Sequence, residues 1–221
     1  MSSPPARRIT ALEPDPARPG SVRVLVDGRL FCTVGEESVG AAGLEVGEPW
    51  EGTRAGVAGE AADLEAAWRS LLRALERRSF ASGDLRRKLR RNGHPATVVD
   101  LVIERAIRAR LLDDAAYANQ YVASRSARGR GPARLRRDLA ALGIDQRMID
   151  SALAAQWPEP EDALALAREL AQRRARQLAT QPREVRRRRI LAYLARRGFT
   201  GAKVVELVRR VLSGEGAGAE G

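Results

Sequence analysis

Apolar residues recur through most of this chain with the period of an α-helix, and the recurrence itself repeats. Three glycines, Gly93, Gly143 and Gly198, stand 50 and 55 residues apart. Eight residues before them come Leu85, Leu135 and Ile190, and four before come Leu89, Leu139 and Leu194. Six after come Val99, Ile149 and Val204, nine after Val102, Ala152 and Leu207, and ten after Ile103, Leu153 and Val208. The −8 and −4 residues share one helix face, and glycine suits the left-handed residue that closes a helix. The +6, +9 and +10 residues form the apolar stripe of a following helix. Its starts are marked by Pro95, by Asp145 and by Thr200, the last two as side-chain caps.

A further helix precedes each pair. The spacing predicts Asp63–Arg77 with Leu64, Trp68, Leu71, Leu72 and Leu75 inward, then Asp113–Ala127 with Tyr117, Tyr121 and Val122 inward. The third is Glu161–Leu178, with Leu164, Ala167, Leu170 and Leu178 inward. Trp157 is expected to pack at a boundary between repeats. The reading is mainly α: three tandem three-helix repeats over 62–111, 112–157 and 158–213. Each is too small to hold a sufficient core alone, so the repeats are expected to stack as an elongated array.

Before residue 60 the pattern changes. Ser21–Val34 alternates like strand, and Asp27-Gly28 within it is a hairpin signal, since a type I′ turn needs positive φ at both central residues. That turn would place Val24 opposite Phe31, with Val22, Val24, Val26 and Phe31 on one face. A third strand around Arg8–Leu12 would support the pair. The glycine-rich stretch 41–61 reads as loop and linker, so 1–60 is expected to form an N-terminal β-hairpin extension. Residues 214–221 read as a disordered tail.

Charge divides the chain in the same place. Residues 1–60 carry six basic and nine acidic side chains, and the remainder 33 basic and 19 acidic, for a net charge of +11. Only Lys88 and Lys203 are lysines, so the excess is arginine. One cysteine, Cys32, and one histidine, His94, leave no disulfide and no zinc cluster. Neither a membrane span nor a secretory signal is visible, and a cytoplasmic location is expected. A P-loop, a nucleophile elbow and a paired-carboxylate constellation are also lacking, which argues against an enzyme and against any cofactor.

The stretch Leu111-Leu112-Asp113-Asp114-Ala115-Ala116-Tyr117-Ala118, followed by Tyr121-Val122, Arg125, Gly129-Arg130-Gly131-Pro132, Leu135, Leu139 and Gly143-Ile144, resembles the RecX family, bacterial regulators of the RecA recombinase. The resemblance covers 62–213, more loosely in the third repeat, and 8–48 looks like an extension some members carry. It implies a non-enzymatic protein lying in the helical groove of the RecA–DNA filament. There it would inhibit filament growth, ATP hydrolysis and strand exchange, within homologous recombination, DNA repair and the SOS response.

The middle helix of each repeat carries a basic cluster outside its apolar stripe. The first holds Arg86, Arg87, Lys88, Arg90 and Arg91. In the second are Arg134, Arg136 and Arg137, preceded by Arg125, Arg128 and Arg130. The third has Arg186, Arg187, Arg188, Arg189, Arg196 and Arg197. In stacked repeats these are expected to form a stripe suited to a long polyanion. The expected partners are the RecA filament and single- or double-stranded DNA, contacted without base reading because interleaved aromatics are lacking. A monomer with no membrane partner is expected. Arg125 is a candidate to pair with Asp114. The alternative function is a general DNA-binding protein of helix-turn-helix-like repeats.

Overall fold

The computed structural model describes residues 7–50 and 52–214. It divides into two compact units, one comprising residues up to 80 together with 85–112, the other 81–84 together with the chain from 113.

In the first unit, β1 (Ile9–Pro14), β2 (Ser21–Val26) and β3 (Arg29–Gly35) form an antiparallel sheet in chain order. Asp27 and Gly28 turn between β2 and β3 with φ of 49° and 75°, as a type I′ turn requires. The register departs from a plain hairpin: Val24 pairs with Cys32 and Leu25 with Leu30, which leaves Phe31 as a bulge. The extra residue sends Phe31 outward, 47% exposed and edge-on to Trp50 at 4.9 Å, instead of onto the face of Val24 and Val26. Cys32 turns toward the core, where burial raises its thiol pKa.

After α1 (Glu36–Ala41) comes α2 (Gly52–Leu75), which overturns the linker reading of 41–61. Glycine-rich though it is, the segment is helical because its small residues meet the sheet. Ala58 is fully buried, with Ala55, Ala61 and Ala62 beside it, against Ile9, Val24, Val26 and Val34. The second half of α2 packs on α3 (Ser82–Arg91) and α4 (Ala96–Arg108) through Ala67, Leu71, Leu85, Leu89, Val99 and Ile103. One helix thus serves two cores, and no boundary falls at residue 60.

Helices α5 (Asp114–Ser126), α6 (Pro132–Ala141) and α7 (Gln146–Gln156) build the second repeat, and α8 (Pro160–Gln177), α9 (Arg183–Arg197) and α10 (Ala202–Ser213) the third. All fifteen aligned apolar positions are buried, none more than 7% exposed. Gly93, Gly143 and Gly198 have φ of 89°, 84° and 95°, the left-handed closure the pattern called for. Asp145 caps α7 by accepting from the Arg147 amide at 2.8 Å, and Asp113 caps α5 through the Ala116 amide at 2.8 Å. Thr200 is not a cap. Gly201 precedes α10 with φ of 103°, a conformation threonine would not take. Trp157 is half-buried against the second repeat's core. Gly214, the first residue of the predicted disordered tail 214–221, follows α10; the rest of that tail, 215–221, lies outside the described residues.

Candidate functional site

The middle helices carry the arginines, and a recurring joint in the second unit fixes where they start. At the head of α6, the Gly131 amide donates to the Arg197 carbonyl at 2.7 Å and the Ala133 amide to the Gly198 carbonyl at 3.2 Å. The closing turn of α9 therefore supplies acceptors for amides that a helix start leaves open. Arg197 completes the contact by donating to the carbonyls of Arg128 and Gly129 at 2.9 and 3.1 Å. The first turn of α3 meets the closing turn of α6 at equally close range, without those backbone hydrogen bonds. A Cβ on Gly83 would lie 2.6 Å from the Leu142 carbonyl oxygen and 2.9 Å from Gly143 Cα. There Asp114 accepts from the Ser82 amide at 2.7 Å and the Ser82 hydroxyl at 2.5 Å. Asp114 is thus committed to Ser82 and does not pair with Arg125, whose guanidinium lies over the Tyr121 ring at 5.4 Å.

Ion pairing separates the three basic clusters, which look alike in sequence. In the first repeat Arg86 bonds Asp100 at 2.8 Å and Arg90 bonds it at 3.2 Å. In the second, Arg136 pairs with Asp150, while Arg130 and Arg134 converge on Asp138 at 2.8 and 2.9 Å. The Asp138 carboxylate is only 17% exposed and also accepts weakly from Tyr121 at 3.4 Å, tying the α5–α6 loop to α6. The Arg136 pair holds the Asp150 carboxyl below its usual range, chiefly by the hydrogen bond to it. Relative to the glycine, Arg86 and Arg136 stand at −7 and Asp100 and Asp150 at +7.

In the third repeat these positions hold Leu191 and Val205, and the place of Asp138 is taken by Tyr193. The acids that neutralise the earlier clusters are missing here. Helices α8 and α9 are antiparallel neighbours through Ala175, Leu178 and Ile190, so the end of α8 lies beside the start of α9. Residues 173–189 bring eight arginines to this tip against one acid, Glu184. Glu184 sits 3.9 Å from Arg187. Arg188, Arg189 and, further along α9, Arg196 are exposed with no carboxylate partner among the described residues. Arg174 and Arg197 flank the Tyr193 ring at 5.8 and 4.8 Å. The Nε–H groups of Arg174 and Arg186 are enclosed, yet have no acceptor among the described residues.

Of the remaining predicted residues, Arg91, Arg128 and Arg137 are exposed without an ion pair among the described residues, Arg87 is exposed, and Lys88 is half-buried. Sequence reasoning placed Arg183 with the third cluster but missed the unequal ion pairing of the three clusters and the arginines that the end of α8 adds, Arg173, Arg174 and Arg176. The signal was available: aligning position +7 shows Asp, Asp, Val.

A family model described as "RecX, second three-helix domain" matches residues 113–153, and one described as "RecX, third three-helix domain" matches 161–211. The "Regulatory protein RecX" of Thermobifida fusca (strain YX) is 38% identical over 157 residues, covering 70% of this chain and 83% of the relative. That of Mycobacterium leprae (strain Br4923) is 35% identical over 146 residues, covering 65% and 84%. A crystal structure of regulatory protein RecX superposes with a TM-score of 0.73 at 25% identity, covering 92% of this chain and 98% of the other. RecX from Lactobacillus salivarius has the same fold, with a TM-score of 0.59 at 20% identity over 68% of this chain and 97% of the other. With the repeats, the glycine joints and the Asp-Asp signature already explained by the structure, these matches establish that the chain belongs to the RecX family of regulatory proteins.

Proposed function

We propose that this chain regulates RecA by binding the RecA–DNA filament in its helical groove and restraining filament growth, ATP hydrolysis and strand exchange. The observation that carries the reading is the charge at the α8–α9 tip, where eight arginines face a single acid. In the first two basic clusters carboxylates close Arg86, Arg90, Arg130, Arg134 and Arg136 into local pairs, so the third repeat offers the strongest field to a polyanion such as a DNA backbone or an acidic groove. The contact is sequence-independent: Tyr193, the one aromatic of α9, is already engaged by the Arg174 and Arg197 guanidinium groups, and interleaved aromatics for base stacking are lacking. Catalysis plays no part in this mechanism. Regulation follows from holding adjacent filament subunits to a common ligand.

The test is RecA ATPase on single-stranded DNA. Inhibition is expected at well below one molecule per RecA, because one bound molecule affects many subunits. An Arg186→Ala/Arg188→Ala/Arg189→Ala variant should need several-fold more protein for the same inhibition. No effect of the wild type at equimolar protein would overturn the proposal. Inhibition that appears only once the protein covers the DNA lattice would favour the general DNA-binding alternative.

A further inference from the structure

The first unit holds a second cationic feature, a recess of about 370 Å³ between the end of α2 and the end of α3. Its polar lining is Ser70, Arg73, Arg77, Arg78, Lys88 and Asn92, with no carboxylate among the lining residues. Four cations thus converge on one concavity. Arg78 is partly engaged: it lies 3.6 Å over the Phe80 ring and donates to the Ser79 carbonyl at 3.2 Å. Arg73 makes only a long contact to the Ser70 hydroxyl, at 3.4 Å. Arg77 and Lys88 have no partner among the described residues. Ser70 is also 3.0 Å from His94 Nε2 and Asn92 carries an amide, so neutral hydrogen-bonding groups sit among the charges.

A bland account is that these cations answer two helix C-termini. Each C-terminus carries about half a negative charge, so two offset about one unit; with the engaged Arg78 set aside, Arg73, Arg77 and Lys88 still leave roughly +2 in the recess. Convergent guanidinium and ammonium groups with hydroxyl and amide neighbours match the oxygens of a phosphoryl group. The covered face of Phe80 leaves nothing for a base to stack on.

We infer that this recess is a phosphate-binding cup, in which Arg73, Arg77 and Lys88 receive the oxygens of a phosphoryl group with Ser70 and Asn92 as neutral donors. The group belongs either to a nucleic-acid backbone or to a free phosphorylated compound. The recess is built from residues of the first unit and the α8–α9 tip from residues of the second, and its test omits RecA, so the two proposals fail separately.

The experiment uses the full chain, with calorimetric titration of pyrophosphate and anisotropy of a labelled dT oligonucleotide bearing a 5′-hydroxyl. The test variant is Arg77→Gln/Lys88→Gln; an Arg29→Gln/Arg147→Gln control removes equal charge elsewhere. Pyrophosphate affinity should fall at least tenfold in the test variant and stay within twofold in the control. If pyrophosphate also competes with the oligonucleotide, and the test variant flattens the salt dependence of oligonucleotide binding, the cup takes a backbone phosphate. If oligonucleotide binding is untouched, it takes a free phosphoryl compound. Undetectable pyrophosphate binding by the wild type, unchanged binding in the test variant, or equal loss in the control would each overturn the proposal. Should the double variant lose helix content, Arg77→Gln alone, at an exposed position beyond α2, decides on the same criteria.

Discussion

Gly93 and Gly198 are equivalent positions in two repeats, both left-handed, with φ of 89° and 95°, yet replacing them with alanine should have unequal effects. A methyl on Gly93 meets nothing within 4 Å, so Gly93→Ala should cost only the backbone penalty, about 1 kcal/mol. On Gly198 the same methyl would stand 2.3 Å from the Arg134 amide nitrogen and 2.5 Å from Arg134 Cβ. Backbone cannot retreat as a flexible side chain can, so α9 must draw back from α6. That movement breaks the Gly131-to-Arg197 and Ala133-to-Gly198 hydrogen bonds, each worth about 1 kcal/mol net. Adding the same backbone penalty gives about 3 kcal/mol for Gly198→Ala. Native-state hydrogen exchange, resolved by peptide, is the suitable readout because two compact units need not open together. Amides at the start of α6 should lose protection by about two orders of magnitude in Gly198→Ala, while Gly93→Ala should lower protection in α3 by about one. Equal effects of the two substitutions would refute the reasoning, since the joint would then not be the close contact that sets α6 against α9.

Other expectations follow from the ion pairs. Asp150→Ala should release Arg136 and steepen the salt dependence of DNA binding by up to about one phosphate contact; a shallower slope would show that Arg136 faces away from the polyanion. Glu206 accepts from Arg209 and Arg210, and these hydrogen bonds hold its carboxyl down from 4.5 to about 2. With the folded value depressed, its stabilising contribution is present above pH 4.5 and fades as pH falls toward 2; carbon-detected NMR titration of the side chain should show that low midpoint, and a midpoint near 4.5 would contradict it. Arg183→Glu, at the first residue of α9, should raise stability by about 0.5 kcal/mol and reduce DNA affinity together; a variant that gains affinity would refute the assignment of this tip.

Much of the helical architecture was legible because helix burial and helix closure leave periodic marks. The fifteen apolar positions and three glycines needed no tertiary knowledge, since each repeat solves the same packing problem locally. The misreadings share another cause. Residues 52–61 look like a linker because small residues read as flexible, whereas here Ala58 is small so that the sheet can sit against α2. Phe31 was placed inward by strict alternation, which a single bulge reverses. The arginine clusters were read by counting positive charge, but their availability depends on acids on another helix, across the Gly turn. Asp100 and Asp150 were visible as letters; that they reach back to Arg86 and Arg136 becomes plain only once α4 and α7 lie beside α3 and α6.

The start of α9 breaks a rule the other middle helices keep. The heads of α3 and α6 carry glycine, Gly83 and Gly131, because the glycine turn of another middle helix presses on each. At the head of α9 stand Pro182 and Arg183, with no such turn seated on it among the described residues. A helix start is already electropositive, equivalent to about half a unit charge, and favours acids in its first turn. Here that turn holds Glu184 alone, and arginines occupy 183 and 186–189. Local helix energetics oppose this placement, and an apolar core alone does not require it, since Ile190 and Leu194 already fill the inward stripe. A cluster that works against its own helix points to a benefit realised in a complex. The open amides of the first turn, the dipole and the guanidinium groups all favour an anion at the same place. This convergence makes the α9 head, rather than the stronger-looking repetition of basic runs along the chain, the place where regulation by contact with a nucleoprotein filament should be sought.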